Sequence, residues 1–203
     1  MTQQPTTWIV VGLGNPGERY AGTRHNIGAM VTDVLVEQAR SRWKVSKKTR
    51  SDICQTHWDG VSVVLARPHS FMNESGGPIS SLLKFFSATE QSLIVIHDEL
   101  DLPLGALRIK QGGGDNGHNG LRSTRSSLGT GEFIRLRVGI GRPPGQQDTA
   151  DFVLRAFPAA QRGDVNHIID QAAIAAHAIV SRGVAAAQNE FNRTVDGLSD
   201  REG

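Results

Sequence analysis

Chemistry-bearing side chains gather in a few glycine-rich and acidic loops. His25 closes the stretch Glu18-Arg-Tyr20-Ala-Gly-Thr-Arg-His25-Asn26, immediately before a helical pattern. A positive helix end disfavours the imidazolium, which leaves a neutral ring able to accept a proton near pH 7. Asp98, in His97-Asp98-Glu-Leu-Asp101-Leu-Pro103, is a carboxylate of the kind that orients such a base. Asn73, in Phe71-Met72-Asn73-Glu-Ser-Gly76, and Asn119, in Gly117-His118-Asn119-Gly120, add amides that both donate and accept. A lone histidine is more often a surface or capping residue, and either asparagine alone would serve a turn. Taken together they suit a histidine that activates water, a carboxylate that orients it, and amides that stabilise a developing oxyanion.

Other chemistries fit less well. Gly12-Leu-Gly14-Asn-Pro-Gly17 matches the dinucleotide fingerprint in form, but Pro16 stands where a helix would begin and the helical pattern starts near Asn26. Asp33 and Glu37 fall inside that first helix, so no acid follows at the end of a second strand. No serine has a glycine two residues before and two after it, which removes the nucleophile elbow. Asp98, Asp101, Asp115 and His118 lack a recognised metal-ligand spacing.

The elements that must position these loops follow from periodicity. Apolar, β-branched runs predict strands at 8–13, 61–66, 93–97, 107–110 and 133–140. Helical spacing predicts helices from 27 to about 42, around 79–86, at 120–128, and over 165–180 with Gly183 at its end; Asn26 is a candidate N-cap. The alternation predicts an α/β fold: a single-domain, three-layer sandwich with a mixed, twisted sheet and helices on both faces. Ligands of such sheets lie beyond the carboxyl ends of the strands, where the unusual residues fall here. The domain is expected over 1–191, with 192–203 a mobile, polar tail.

Composition narrows the class. With 203 residues, 38% hydrophobic content and 23 glycines, the chain can build an ordinary core. Cys54 is the single cysteine, so an internal disulfide is excluded and a reducing compartment fits. No basic and apolar leader and no long apolar run is present, so the expectation is a cytoplasmic protein without membrane association. The 22 basic and 20 acidic residues give only +2, yet they are unevenly placed. One basic run spans Arg40 to Arg50 around Trp43, and Arg108, Lys110, Arg122, Arg125, Arg135, Arg137 and Arg142 follow with few carboxylates between them. Such clusters attract phosphates, although one basic run alone reads as a solvated helix end.

The ordered set of segments resembles the bacterial peptidyl-tRNA hydrolase family: Val11-Gly-Leu-Gly-Asn15-Pro-Gly17, Thr23-Arg-His25-Asn26-Ile-Gly28, Phe71-Met-Asn73-Glu-Ser-Gly76, His97-Asp98-Glu-Leu-Asp-Leu-Pro103, the glycines at 112–114 with Gly117-His-Asn119-Gly120, and Arg135-Leu-Arg-Val-Gly-Ile-Gly141. The resemblance implies an enzyme that cleaves the ester between peptide and tRNA without metal or organic cofactor, as a cytoplasmic monomer with no obligate protein partner. It implies that His25 deprotonates water, Asp98 holds His25, and Asn15 binds the peptide carbonyl that marks a blocked amino group. Tyr20, Phe71, Asn73 and Asn119 would line the site for the terminal adenosine and the ester, with Met72 and His118 beside them. Lys110, Arg135 and Arg137 would meet phosphates of the acceptor stem near the 3′ end. The Arg40 to Arg50 run and Asp115-Asn116 depart from the family pattern and receive no role. The alternative from another class is a catalytically silent tRNA- or RNA-binding module on the same fold.

Overall fold

The computed structural model describes residues 6–192. The chain enters through β1 (Trp8–Gly12), a short α1 (Glu18–Ala21) and a 3-10 turn at Arg24–Asn26 that runs directly into α2 (Ile27–Gln38). An antiparallel set follows, β2 (Lys44–Ser46), β3 (Ser51–Trp58) and β4 (Val61–Pro68), then α3 (Gly76–Phe85) and β5 (Leu93–Glu99). The second half comprises β6 (Leu107–Gln111), α4 (Asn119–Leu128), β7 (Ile134–Gly139), α5 (Thr149–Val153), α6 (Arg162–Arg182) and α7 (Val184–Phe191). The strands form one mixed sheet in the order β2-β3-β4-β1-β5-β7-β6.

Successive side chains of a strand point to opposite faces, and the sheet uses both. Val10, Ile94 and Ile96 pack with Ile27, Val31 and Leu35 of α2 and with the apolar face of α6. Ile9, Val11 and Val95 pack with Ile79 and Leu82 of α3 and Leu121 of α4. The result is the expected α/β fold with helices on both faces. Helix α2 sits unusually close to the sheet: a Cβ at Gly28 would lie 2.2 Å from the Ile96 carbonyl oxygen, and one at Gly12 would lie 2.2 Å from the Gly28 oxygen. That approach brings the start of α2, and His25 just before it, to the end of β5.

Three differences from the sequence reading bear on the site. Strand β5 continues through Asp98 and Glu99, which pair in parallel register with Val138 and Gly139, so Asp98 stands on a strand end rather than in the following loop. Hairpin partners β2 and β3 were not predicted, because Asp52, Gln55 and His57 break any apolar run at that side of the sheet. Asn192, placed in the tail by sequence, is tied to β6: its side chain accepts from the Ile109 N–H at 2.6 Å and donates to the Ile109 carbonyl at 3.1 Å. The remainder of the predicted tail, 193–203, lies outside the described residues.

Candidate active site

Beyond the carboxyl ends of β1 and β5 lies a cleft of about 650 Å³. Asn15, His25, Phe71, Met72, Asn73, Asp98, His118 and Asn119 all line it. Another part of its wall comes from Thr149, Ala150, Val153 and Leu154, in and just after α5.

His25 Nδ1 lies 2.9 and 3.0 Å from the two carboxylate oxygens of Asp98. His118 Nε2 lies 2.8 Å from Asp98 Oδ1. The backbone determines the protonation of His118: its Nδ1 accepts from the N–H groups of Gly120 and Leu121 at 3.1 and 3.3 Å, capping α4. Its proton therefore sits on Nε2 and is donated to Asp98. Asp98 is 4% exposed; burial alone would raise its carboxyl, but the facing His118 and His25 hold it well below the usual carboxylate range. An ionised Asp98 accepts, so His25 carries its proton on Nδ1 and offers the Nε2 lone pair at the cleft. The side chains of His25, Asp98 and His118 are close enough together to invite a metal reading. Their contacts at 2.8–3.0 Å are instead direct hydrogen bonds, closer than the roughly 3.3 Å that would separate two atoms each about 2.0 Å from one tetrahedral zinc.

Asn15 is held with similar definition. Its Oδ1 accepts from the Met72 N–H at 2.8 Å, which leaves the amide nitrogen as the group free to donate. Asn26 fixes the backbone behind it, accepting from the Asn15 N–H through Oδ1 and donating to the Asn15 carbonyl through Nδ2, both at 2.9 Å. Asn26 does occupy the cap position of α2, but its side chain makes no capping bond and is buried between loop and helix.

The other predicted residues divide by location. Phe71 is 49% exposed in the cleft wall, and Tyr20 meets it edge-on from outside the cleft, ring centroids 6.4 Å apart. Asn73 and Asn119 are exposed within the cleft, and Asn119 Oδ1 accepts from Arg122 at 3.3 Å. Lys110, Arg135 and Arg137 lie apart from it on β6 and β7. Lys110 is exposed. Arg137 is half-buried and paired with Glu99 at 2.9 Å. Arg135 departs from its expected place against phosphate: it is 2% exposed, stacks over Phe133, and donates to the carbonyls of Gly112 and Gly113. Its position suits holding the glycine loop, because a buried guanidinium requires acceptors on its own chain.

His97 lies directly behind the site. It is 1% exposed, donates from Nδ1 to the Asp98 carbonyl at 2.7 Å, and packs against His118 with centroids 5.0 Å apart. Burial first, and then the adjacent His118, push its imidazole down to about 3 from the ordinary 6.5. Above pH 6.5 both folded and unfolded chains hold this ring neutral. As pH falls from 6.5 toward 3, the unfolded chain takes up a proton that the folded chain refuses, so stability is lost. Asp98, held below its ordinary 3.8, adds its own loss only below that value. Between pH 6.5 and 4, Tm of His97→Leu should therefore decline less steeply than that of the unmodified protein; parallel curves would contradict a buried neutral His97.

Against this geometry the comparisons are concordant. The peptidyl-tRNA hydrolase family matches residues 9–198. Peptidyl-tRNA hydrolase of Nocardia farcinica is 53% identical over 184 residues, covering 91% of this chain and 95% of its own. That of Mycolicibacterium smegmatis is 52% identical over 181 residues, covering 89% and 95%. The crystal structure of the Acinetobacter baumannii enzyme superposes with a TM-score of 0.87 at 32% identity, over 96% of this chain and 98% of its own.

Proposed function

The chain belongs to the peptidyl-tRNA hydrolase family, and from that premise we propose how its own residues perform the hydrolysis of peptidyl-tRNA. The bond cut is the ester between the peptide and the terminal ribose. His25 Nε2 removes a proton from a water as the water oxygen bonds to the ester carbonyl carbon. The resulting oxyanion is stabilised by cleft amides, and its collapse breaks the bond to the ribose oxygen, which leaves with the proton held by His25. An ester releases an alkoxide far more readily than an amide releases an amine, so no covalent enzyme intermediate is required. Asp98 keeps His25 in the productive tautomer and stabilises the imidazolium as it forms. The observation that carries this reading is the two-histidine clasp on Asp98, in which the backbone-fixed His118 holds the carboxylate that orients His25.

The Asn15 amide nitrogen is the donor that recognises the first peptide carbonyl, a group that unblocked aminoacyl-tRNA lacks. Phe71, with Tyr20 against it, and Asn73 and Asn119 position the terminal adenosine and the ester; an aromatic face stacks on a base at little cost in sequence preference. Lys110, exposed on the β6 edge, meets acceptor-stem phosphate, with Arg137 behind it. The protein works as a cytoplasmic monomer without metal or organic cofactor. These statements are tested by incubating chelator-treated enzyme with N-acetyl-aminoacyl-tRNA and with unblocked aminoacyl-tRNA. Much faster release from the blocked substrate than from the unblocked one is expected, and Lys110→Ala should bind with a salt dependence about one phosphate shallower. A requirement for added metal, equal cleavage of both substrates, or an unaltered salt slope would each remove the corresponding role.

A further inference from the structure

The 3-10 turn Arg24–Asn26 carries three consecutive side chains to three different segments around the cleft. His25 reaches Asp98, and Asn26 holds the Asn15 loop. Arg24 turns the other way. Its guanidinium Nη1 donates to the carbonyl oxygens of Phe152, Arg155 and Ala156 at 3.5, 3.3 and 3.1 Å. The guanidinium carbon lies 4.2 Å from the Phe152 ring centroid and 5.3 Å from that of Phe157. The backbone joins the same two segments: the Arg24 N–H donates to the Arg155 carbonyl at 3.1 Å, and Thr23 bridges Ala156.

Arg24 is 8% exposed, and among the described residues no carboxylate pairs with it. Removing a cation from water without a counter-charge is costly, so the carbonyls and aromatic faces that receive it constitute a dedicated seat. What that seat holds is the end of α5. Helix α5 has only five residues, too few to hold a fixed position by its own hydrogen bonds. Its Thr149, Ala150 and Val153, with Leu154 just beyond, nevertheless form part of the wall of the same cleft that Asn15 and His25 line.

We infer that Arg24 is a positioning residue for the hydrolysis: it locks the α5 wall to the turn bearing His25, so that the surface against which the substrate rests keeps one fixed position. The inference rests on the cleft being where peptidyl-tRNA binds. Loss of the lock leaves His25 and Asp98 in place while the wall loosens, which removes binding common to ground and transition states. Such a loss raises KM and leaves kcat nearly intact.

The test compares Arg24→Gln and Arg24→Lys with the unmodified enzyme on N-acetyl-aminoacyl-tRNA, and measures amide hydrogen exchange in the free proteins. Arg24→Gln should raise KM about tenfold with kcat changed less than threefold, and Arg24→Lys, which keeps the charge and one donor direction, should recover part of the KM. Exchange should accelerate at least tenfold over 149–157 and stay unchanged in α2 and β5. If Arg24→Gln fails to fold, Phe157→Leu, which removes one face of the seat, should give the same pattern at smaller size. An unchanged KM, a loss of kcat at constant KM, or acceleration spread evenly over the sheet would overturn the inference. The exchange readout needs no substrate, so its outcome stands apart from whether His25 is the base.

Discussion

His25→Ala should lose at least about a hundredfold in kcat on N-acetyl-aminoacyl-tRNA, the lower end of the contribution of a positioned general base, while affinity for tRNA changes less than twofold. The two halves of that result have separate origins. The lost turnover follows from the bond between His25 Nδ1 and Asp98, which leaves Nε2 as the lone pair at the cleft. The retained affinity follows because the cation proposed to meet phosphate, the exposed Lys110, lies elsewhere, on β6, while the His25 side chain is engaged with Asp98. His118 is not a substitute base: its Nδ1 is occupied by two backbone N–H groups and its Nε2 proton by Asp98. Turnover within tenfold of the unmodified enzyme would remove His25 from the role.

The second large effect concerns recognition. Asn15→Asp is nearly isosteric and retains an oxygen to accept from the Met72 N–H, so the loop keeps its support. The substitution replaces the one free donor with an acceptor at the position proposed to meet the peptide carbonyl. An unpaired buried polar group costs about 1–3 kcal/mol, and two acceptors in opposition add repulsion, so kcat/KM for the blocked substrate should fall about tenfold to a hundredfold or more. Unblocked aminoacyl-tRNA lacks that carbonyl, so its slow cleavage should change much less and the preference between the two should narrow. A site built around a hydrogen bond discriminates strongly because the wrong partner strands its polar groups. Equal losses on both substrates would mean that Asn15 supports the loop and does not read the peptide.

Much of this site was legible in the chain because its chemistry resides in residue types. A histidine ahead of a helix, an acid at the end of an apolar strand and asparagines in glycine loops are visible without a fold, and periodicity placed them at one end of the sheet. What escaped depends on tertiary contacts. The Asn26 side chain looked like a cap, yet the close approach of α2 to β1 turns it toward Asn15. Arg135 and Arg137 alternate with Ile134, Leu136 and Val138, a pattern that places the arginines on a solvent face. In a three-layer fold both faces are covered, and Arg135 ends up buried against Phe133 and the glycine-loop carbonyls. Helix α5 is too short for a helical period to register, and its importance lies in what Arg24 holds against it.

The central claim is that His25, held through Nδ1 by an ionised Asp98, takes the proton from the attacking water at Nε2. The most direct measurement is kcat on N-acetyl-aminoacyl-tRNA in H2O and in D2O, with binding saturated in both. The account requires a slower kcat in D2O, because that proton is in transfer to His25 as the water attacks. Equal kcat in the two solvents would contradict it.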